Sequence, residues 1–181
     1  DGEKETIHFT NYAEYIYVGY RHYTSFNVPV SYPFGFGLSY TDFEFSNFTA
    51  ENNGVETIIT VEVKNVGQRE GKQVAQIYVK AAESRKYDKP VRELKAYSKT
   101  KSLLPGESER LVMKVKNEDL ASFDEAASAW VTDRGDYTFM LGTDVNTILK
   151  EIKVSVAGSR KKVHNVLKKQ PHTPRHLEYR G

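Results

Sequence analysis

From residue 57 onward, apolar side chains recur at every second position in short runs, and this period of two is the strongest constraint on what the chain can become. Thr57, Ile59, Val61 and Val63 alternate with Glu56, Thr60, Glu62 and Lys64, the pattern of a strand with one buried and one polar face. The run ends at Asn65-Val66-Gly67, where the expectation is a turn that uses the tolerance of Asn and Gly for positive φ. Ala75, Ile77 and Val79 face one way in the next run, and Val74, Gln76 and Tyr78 the other. Residues 93–104 form a further candidate, stopped by Pro105-Gly106, a pair suited to a tight turn. Leu111, Met113 and Val115 follow, then 129–132 around Trp130, then Tyr137, Phe139 and Leu141, then Ile152, Val154 and Val156. Asn117 is expected to cap one helical turn reaching Phe123, and residues 133–136 a tight turn. About seven strands between turn signals predict an all-β chain, an immunoglobulin or fibronectin type III-like β-sandwich. Lys64, Lys80, Lys95 and Lys99 are expected to keep its open edges from pairing with other chains.

Composition divides the chain into three: 1–40, rich in rings; 41–157, the sandwich; and 158–181, a basic tail. Of the 22 aromatic residues, 14 fall between Phe9 and Phe48, and ten of those precede Gly37. An aromatic side chain buries about 150–250 Å², so five exposed rings would make a patch above roughly 750 Å², beyond the roughly 300–600 Å² usual for a monomer. The leader must therefore be covered, by the sandwich flank or by another domain. The alternative is a stacking platform for sugars. Pro33, Gly35 and Gly37, set among the rings, favour a fixed, bent connector. The tail carries Arg160, Lys161, Lys162, Lys168, Lys169, Arg175 and Arg180 against Glu178 alone. It shows no patterned basic face of a nucleic-acid binder, and a solvated extension is the expectation.

Several chemistries are excluded at this level. The chain has no cysteine, hence no disulfide, thiolate metal site or cysteine nucleophile. No apolar run approaches about 18 residues, so no membrane helix is expected, and no signal peptide is visible. Beginning at Asp1, the chain reads as a piece of something longer. His172 and His176 have helical metal-ligand spacing, but Pro171 and Pro174 oppose a helix there. Arg134-Gly135-Asp136 reads as a turn, and Asn47-Phe48-Thr49 is a glycosylation sequon that acts only on a secretory route. No phosphate loop, dinucleotide fingerprint or Ser/His/Asp arrangement is present. No catalytic residue, cofactor or metal site is assigned, and neither nucleic acid nor membrane is an expected partner.

One set of residues is more specific. Tyr17-Val18-Gly19-Tyr20-Arg21-His22-Tyr23, followed by Pro33-Phe34-Gly35-Phe36-Gly37-Leu38-Ser39-Tyr40-Thr41, closely resembles the junction "VGYRYY … PFGYGLSYT" of glycoside hydrolase family 3, the β-glucosidase and β-xylosidase family. In order behind it come residues 61–67 with Gly71 (the family's V-x-V-x-N-x-G … G), 74–79 (V-x-Q-L-Y-V), 92–97 (K-E-L-K-G-F, with Ala96 and Tyr97 differing), 104–107, 119–120, and Trp130-Val131 before Gly135-Asp136-Tyr137. The resemblance covers about residues 14–156. It implies a non-catalytic C-terminal fibronectin type III-like domain, since the family's nucleophilic aspartate, in a Ser-Asp-Trp-type motif, and its acid/base carboxylate lie on earlier domains. No Ser-Asp pair occurs here, and Trp130 follows Ala129. The implied partner is the catalytic domains of the parent enzyme, with the sandwich buttressing them and shaping one wall of the substrate entrance. The implied location is periplasmic or extracellular. Tyr20, Arg21, Tyr23, Phe34 and Phe36 are the candidate interdomain contacts, Arg21 through a forked ion pair. The rival reading is a stand-alone carbohydrate-binding module that uses Tyr20 and Phe34 as a platform. A second rival, an adhesion module, would use the basic tail.

Overall fold

The computed structural model describes residues 14–84 and 86–164. Most of the basic tail, His172 and His176, and Phe9 and Tyr12 of the leader lie outside the described residues. One short helix, α1 (Tyr20–Ser25), precedes ten strands: β1 (Phe43–Asn52), β2 (Glu56–Asn65), β3 (Val74–Lys80), β4 (Glu93–Lys99), β5 (Ser108–Lys116), β6 (Ser122–Asp124), β7 (Ala129–Thr132), β8 (Gly135–Gly142), β9 (Ile148–Val156) and β10 (Ser159–Lys162). A three-stranded sheet, β1-β2-β5, faces a four-stranded sheet, β4-β3-β8-β9, and β10-β7-β6 form a small third sheet at one end. All pairings are antiparallel.

The core is the set of inward residues that the alternation marks. Ile59, Val61 and Val63 of β2 and Leu111, Met113 and Val115 of β5 meet Ala75, Ile77 and Val79 of β3 and Tyr137, Phe139 and Leu141 of β8. Burying one such aliphatic side chain contributes roughly 1.5–3 kcal/mol. The Tyr137 hydroxyl, at the rim of this core, donates to the carbonyl of Asp133 four residues upstream (3.0 Å), the corner by which such sandwiches satisfy a buried phenol. Burial pushes that phenol up to about 12.

Four expectations need correction. First, β1 was absent from the seven-strand pattern. Phe43 and Phe45 alternate, but the register shifts between Ser46 and Thr49, with Asn47 at φ 50°. This β-bulge lets Phe48 and Ala50 join Phe43 and Phe45 against the core, and a bulge breaks the period of two that sequence reading depends on. Second, the short β6 and β10 bring the count to ten, and the segment read as tail begins with β10, whose Lys161 is paired in register with Trp130. Third, Asn117 does not cap a turn through its side chain. It opens a 3-10 turn ending at Leu120, and its side chain accepts from Asn52 (2.7 Å) and donates to the Gly54 carbonyl (3.0 Å). Fourth, only Lys95 and Lys99 sit on an edge strand, β4. Lys64 and Lys80 belong to the interior strands β2 and β3.

The turn after β2 also works differently from its sequence reading. Neither Asn65 nor Gly67 has positive φ. Asn65 is fully buried and its carboxamide makes all four bonds open to it. The amide donates to the carbonyls of Arg69 (2.7 Å) and Leu103 (2.8 Å), and the oxygen accepts from Thr41 Oγ1 (2.8 Å) and Gly67 N (3.1 Å). Val66 N and Gly67 N both donate to the Asp42 carbonyl. Glycine is required at 67 because an added Cβ would lie 2.2 Å from Thr41 Oγ1 and 2.7 Å from Asp42 N. The turn thus fixes the point where the leader enters the sandwich. Asn65→Leu, which strands the Arg69 carbonyl and the Thr41 hydroxyl and takes one of two donors from the Leu103 carbonyl, is expected to cost about 3 kcal/mol in urea unfolding, while Val66→Ala at the exposed neighbour stays within about 0.5 kcal/mol.

Candidate functional site

A sheet in a two-layer sandwich normally turns its second face to water. Here part of the second face of the four-stranded sheet, at β3 and β8, is buried. In β3, the outward Gln76 and Tyr78 are as hidden as the inward Ala75 and Ile77, and Tyr78 joins Met140 and Val145 in a second apolar cluster against which Tyr20, Leu94 and Ile148 pack. The cover is the leader. The Phe34 carbonyl accepts from Val145 N (2.9 Å) and the Gly35 carbonyl from Gln76 Nε2 (3.0 Å). Gln76 Nε2 also donates to the Thr143 carbonyl (2.5 Å), and its Oε1 accepts from the Tyr78 hydroxyl (2.6 Å). The Arg92 guanidinium donates to the Val145 carbonyl (3.1 Å). Burial, followed by the nearby Tyr20 and Asp144, pushes the Tyr78 phenol far above its ordinary value.

Helix α1 closes the other half of the face. Tyr20 stacks on Phe34 (centroids 4.2 Å apart, planes 16° apart), and its hydroxyl accepts from Leu94 N on β4 (2.9 Å). Arg21 Nε lies 2.9 Å from Glu93 Oε1, and Lys95 Nζ lies 3.3 Å from Glu93 Oε2. Ser25 Oγ accepts from Val91 N (3.1 Å). Of the five candidate contacts, Tyr20, Arg21 and Phe34 thus dock the leader onto its own sandwich. Arg21 spends its charge on Glu93 of the same chain, through Nε alone. Tyr23 and Phe36 stay near half exposed, with Tyr32 and Phe36 5.3 Å apart. Gln76, Tyr78, Arg92 and Glu93 belong to the site but were not singled out from sequence. The signal was present: a carboxamide and a phenol on the non-core side of a central strand require a cover.

The outer side of this cover is apolar. Twelve of the 21 large hydrophobic residues exposed among the described residues lie between Tyr15 and Tyr40, so the exposure is concentrated in one segment. Leu38 and Tyr40 are about nine-tenths exposed. A hollow of about 230 Å³ opens between Tyr23, Val28, Tyr32, Phe34 and Val145. No group of three or more His, Cys, Asp or Glu comes together among the described residues.

The clasp makes two predictions. Gly35 has φ +85°, and an added Cβ would lie 2.1 Å from Gln76 Oε1. Gly35→Ala should therefore loosen the leader, raising hydrogen exchange at the Leu94 and Val145 amides about tenfold or more while core amides of β2 change little. For pH, Tyr78 and Tyr137 both have raised phenol pKa values in the fold. Their contribution is complete below the unfolded value of about 10 and is lost as pH rises through the folded values. Urea midpoints should fall between about pH 9 and about pH 11.5, and less steeply in Tyr78→Phe.

With this geometry in view, comparison with known proteins is direct. Residues 73–145 match the fibronectin type III-like domain model. A β-glucosidase of Ruminococcus albus is 43% identical over 144 residues, covering 75% of this chain and 15% of that protein. β-Glucosidase A of Butyrivibrio fibrisolvens is 36% identical over 167 residues, 80% of this chain and 20% of its own length. The structure of β-glucosidase 3B from Thermotoga neapolitana superposes with a TM-score of 0.80 at 42% identity, over 84% of this chain and 21% of that one. The GH3 β-glucosidase of Bifidobacterium adolescentis gives 0.76 at 27% identity, over 89% and 23%. The chain spans about a fifth of the length of these relatives, the fibronectin type III-like part. By strand order, ordered motifs and these matches, the chain belongs to the fibronectin type III-like domains of the C-terminal region of glycoside hydrolase family 3 β-glucosidases.

Proposed function

We propose that the chain is a non-catalytic accessory domain that stabilises the catalytic domains of a family 3 glycoside hydrolase of the β-glucosidase class. The observation carrying this reading is the two-sided leader. Its inner side is clasped to the sheet by Gln76, Tyr78 and Leu94, and its outer side presents the concentrated apolar surface around Tyr23, Phe26, Tyr32, Phe36 and Leu38. Apolar surface of that extent on a rigid support is what a stable interdomain contact needs. The hollow within it is lined by no charged side chain, its polar groups being the Tyr20, Tyr23, Thr24 and Tyr32 hydroxyls and the Asn146 carboxamide beside an apolar remainder, a lining that suits the side chains of a docked protein domain. The parent's sugar, and a place for this face beside the substrate entrance, are part of the same proposal.

The test is a chimera. Residues 14–164 replace the matching part of the Thermotoga neapolitana enzyme, and the product is assayed on an aryl-β-glucoside and by thermal unfolding. The chimera is expected to be active. Tyr23→Ala with Phe36→Ala should lower its unfolding temperature measurably, while leaving the isolated chain's stability nearly unchanged. Equal stability of the two chimeras, or turnover by the purified chain alone, would remove the reading.

A further inference from the structure

A second recess lies away from the apolar face, and its chemistry is different. It is an open trough of about 480 Å³ between the loop after β3, the start of β4 and the β6–β7 hairpin, with Ile16 among its lining residues. This is within the roughly 300–1,000 Å³ of small-ligand clefts. Its wall is the ring pair Phe123 and Trp130, in register across β6 and β7, centroids 5.1 Å apart. Both rings are more than two-fifths exposed, although Ala129 and Thr132 on either side of Trp130 and Val131 are buried. The strand therefore anchors itself through its neighbours and presents Trp130 outward.

Charge decides what such a wall could hold. Among the described residues, Lys86, Lys89 and Lys95 line the trough, and so do Asp88, Glu93 and Glu125, three cations against three carboxylates. Each lysine is already paired: Lys86 with Asp124, Lys89 with Asp133 at 3.3 Å and Lys95 with Glu93 at 3.3 Å. Tyr87 also donates to Asp124 (2.9 Å), which pins the loop that forms one bank. A balanced lining does not select a polyanion or a polycation. It offers many hydrogen-bond donors and acceptors beside two exposed rings, the combination that suits a neutral, polyhydroxylated ligand with a flat apolar face. We propose that this trough is a carbohydrate-binding site, in which Trp130 stacks on one pyranose ring of a neutral oligosaccharide, Phe123 flanks it, and the charged banks take its hydroxyls. The proposed binding is a separate matter from the accessory role proposed above, and either can fail without the other.

Trp130 is the only tryptophan in the chain, so its fluorescence reports on this site alone. The probe is cellohexaose, whose equatorial hydroxyls leave both ring faces apolar. Titration of the chain should give a saturable change in Trp130 emission with half-saturation below about 10 mM, a weak affinity in the millimolar class. Calorimetry in parallel should show binding weakened about tenfold or more by Trp130→Ala and by Phe123→Ala, and changed less than about twofold by Tyr23→Ala or Phe36→Ala. Circular dichroism confirms that each variant is folded. If Trp130→Ala does not fold, Phe123→Ala, which keeps the fluorophore, decides the matter. Absence of saturation, binding that persists in folded Phe123→Ala or Trp130→Ala, or loss on replacing Tyr23 or Phe36 instead would each overturn the proposal.

Discussion

The carboxamide of Gln76 is the bond on which the organisation of this molecule turns. It sits on the central strand of the larger sheet and faces away from the core, where solvent would ordinarily satisfy it. Instead it reaches the Gly35 and Thr143 carbonyls and accepts from Tyr78. Removing such a group's partners strands buried polar atoms at about 1–3 kcal/mol each. The sheet is therefore complete only with the leader on it, and residues 33–36 are as much a part of the fold as a strand. Gly35 follows from the same contact, because the amide approaches its backbone too closely for any side chain. Tyr20 and Phe34 then extend the cover over Leu94 and Val145, accepting from the backbone amide of each.

The two faces of the sheet explain what could be read from sequence and what could not. Inward residues of β2, β3, β5, β8 and β9 follow a strict alternation, so the core was legible almost residue by residue. The fold class followed from it. Strand β1 was not legible, because the bulge at Asn47 moves its apolar residues from odd to even positions. Asn53-Gly54, a strong hairpin signal, marks its end and would have recovered it; Gly54 indeed takes φ 94°. Strands of three or four residues, such as β6 and β10, carry too few alternations to register. Helix α1 is six residues long with no buried member, so no apolar stripe announces it. The aromatic density of the leader did announce that something must cover it. Density alone could not say that Tyr20 docks through its hydroxyl and Phe34 through its backbone carbonyl while the Phe34, Tyr23 and Phe36 rings all remain near half exposed, since that depends on which strand the leader crosses.

Asn65 shows how a motif can be read correctly for the wrong reason. The turn is where the sequence puts it, yet positive φ plays no part. The residue is asparagine because only a carboxamide supplies two donors and two acceptors in the space available, and Gly67 is glycine because Thr41 and Asp42 press against it. The same two residues follow directly on the leader. Two clasps, Gln76 at one end and Asn65 at the other, thus hold the segment between Gly35 and Thr41 at defined points on the sandwich. Leu38 and Tyr40, the most exposed of its apolar residues, lie between these fixed points.

This arrangement separates two surfaces by chemistry. Rings on the leader stand among Val28, Val30 and Pro33, in a hollow with no charged lining residue, and desolvating them strips no ionic group. Rings on the β6–β7 hairpin stand among ion-paired lysines and carboxylates that remain partly hydrated, and a dry protein surface laid on them would strip that remaining water, which is costly. A hydroxyl-bearing ligand replaces that water bond for bond. The sandwich holds both sets of rings in fixed places and leaves each open to a different kind of neighbour. What holds those surfaces in place is the two-sided sheet, whose inner face carries the core and whose outer face carries the leader.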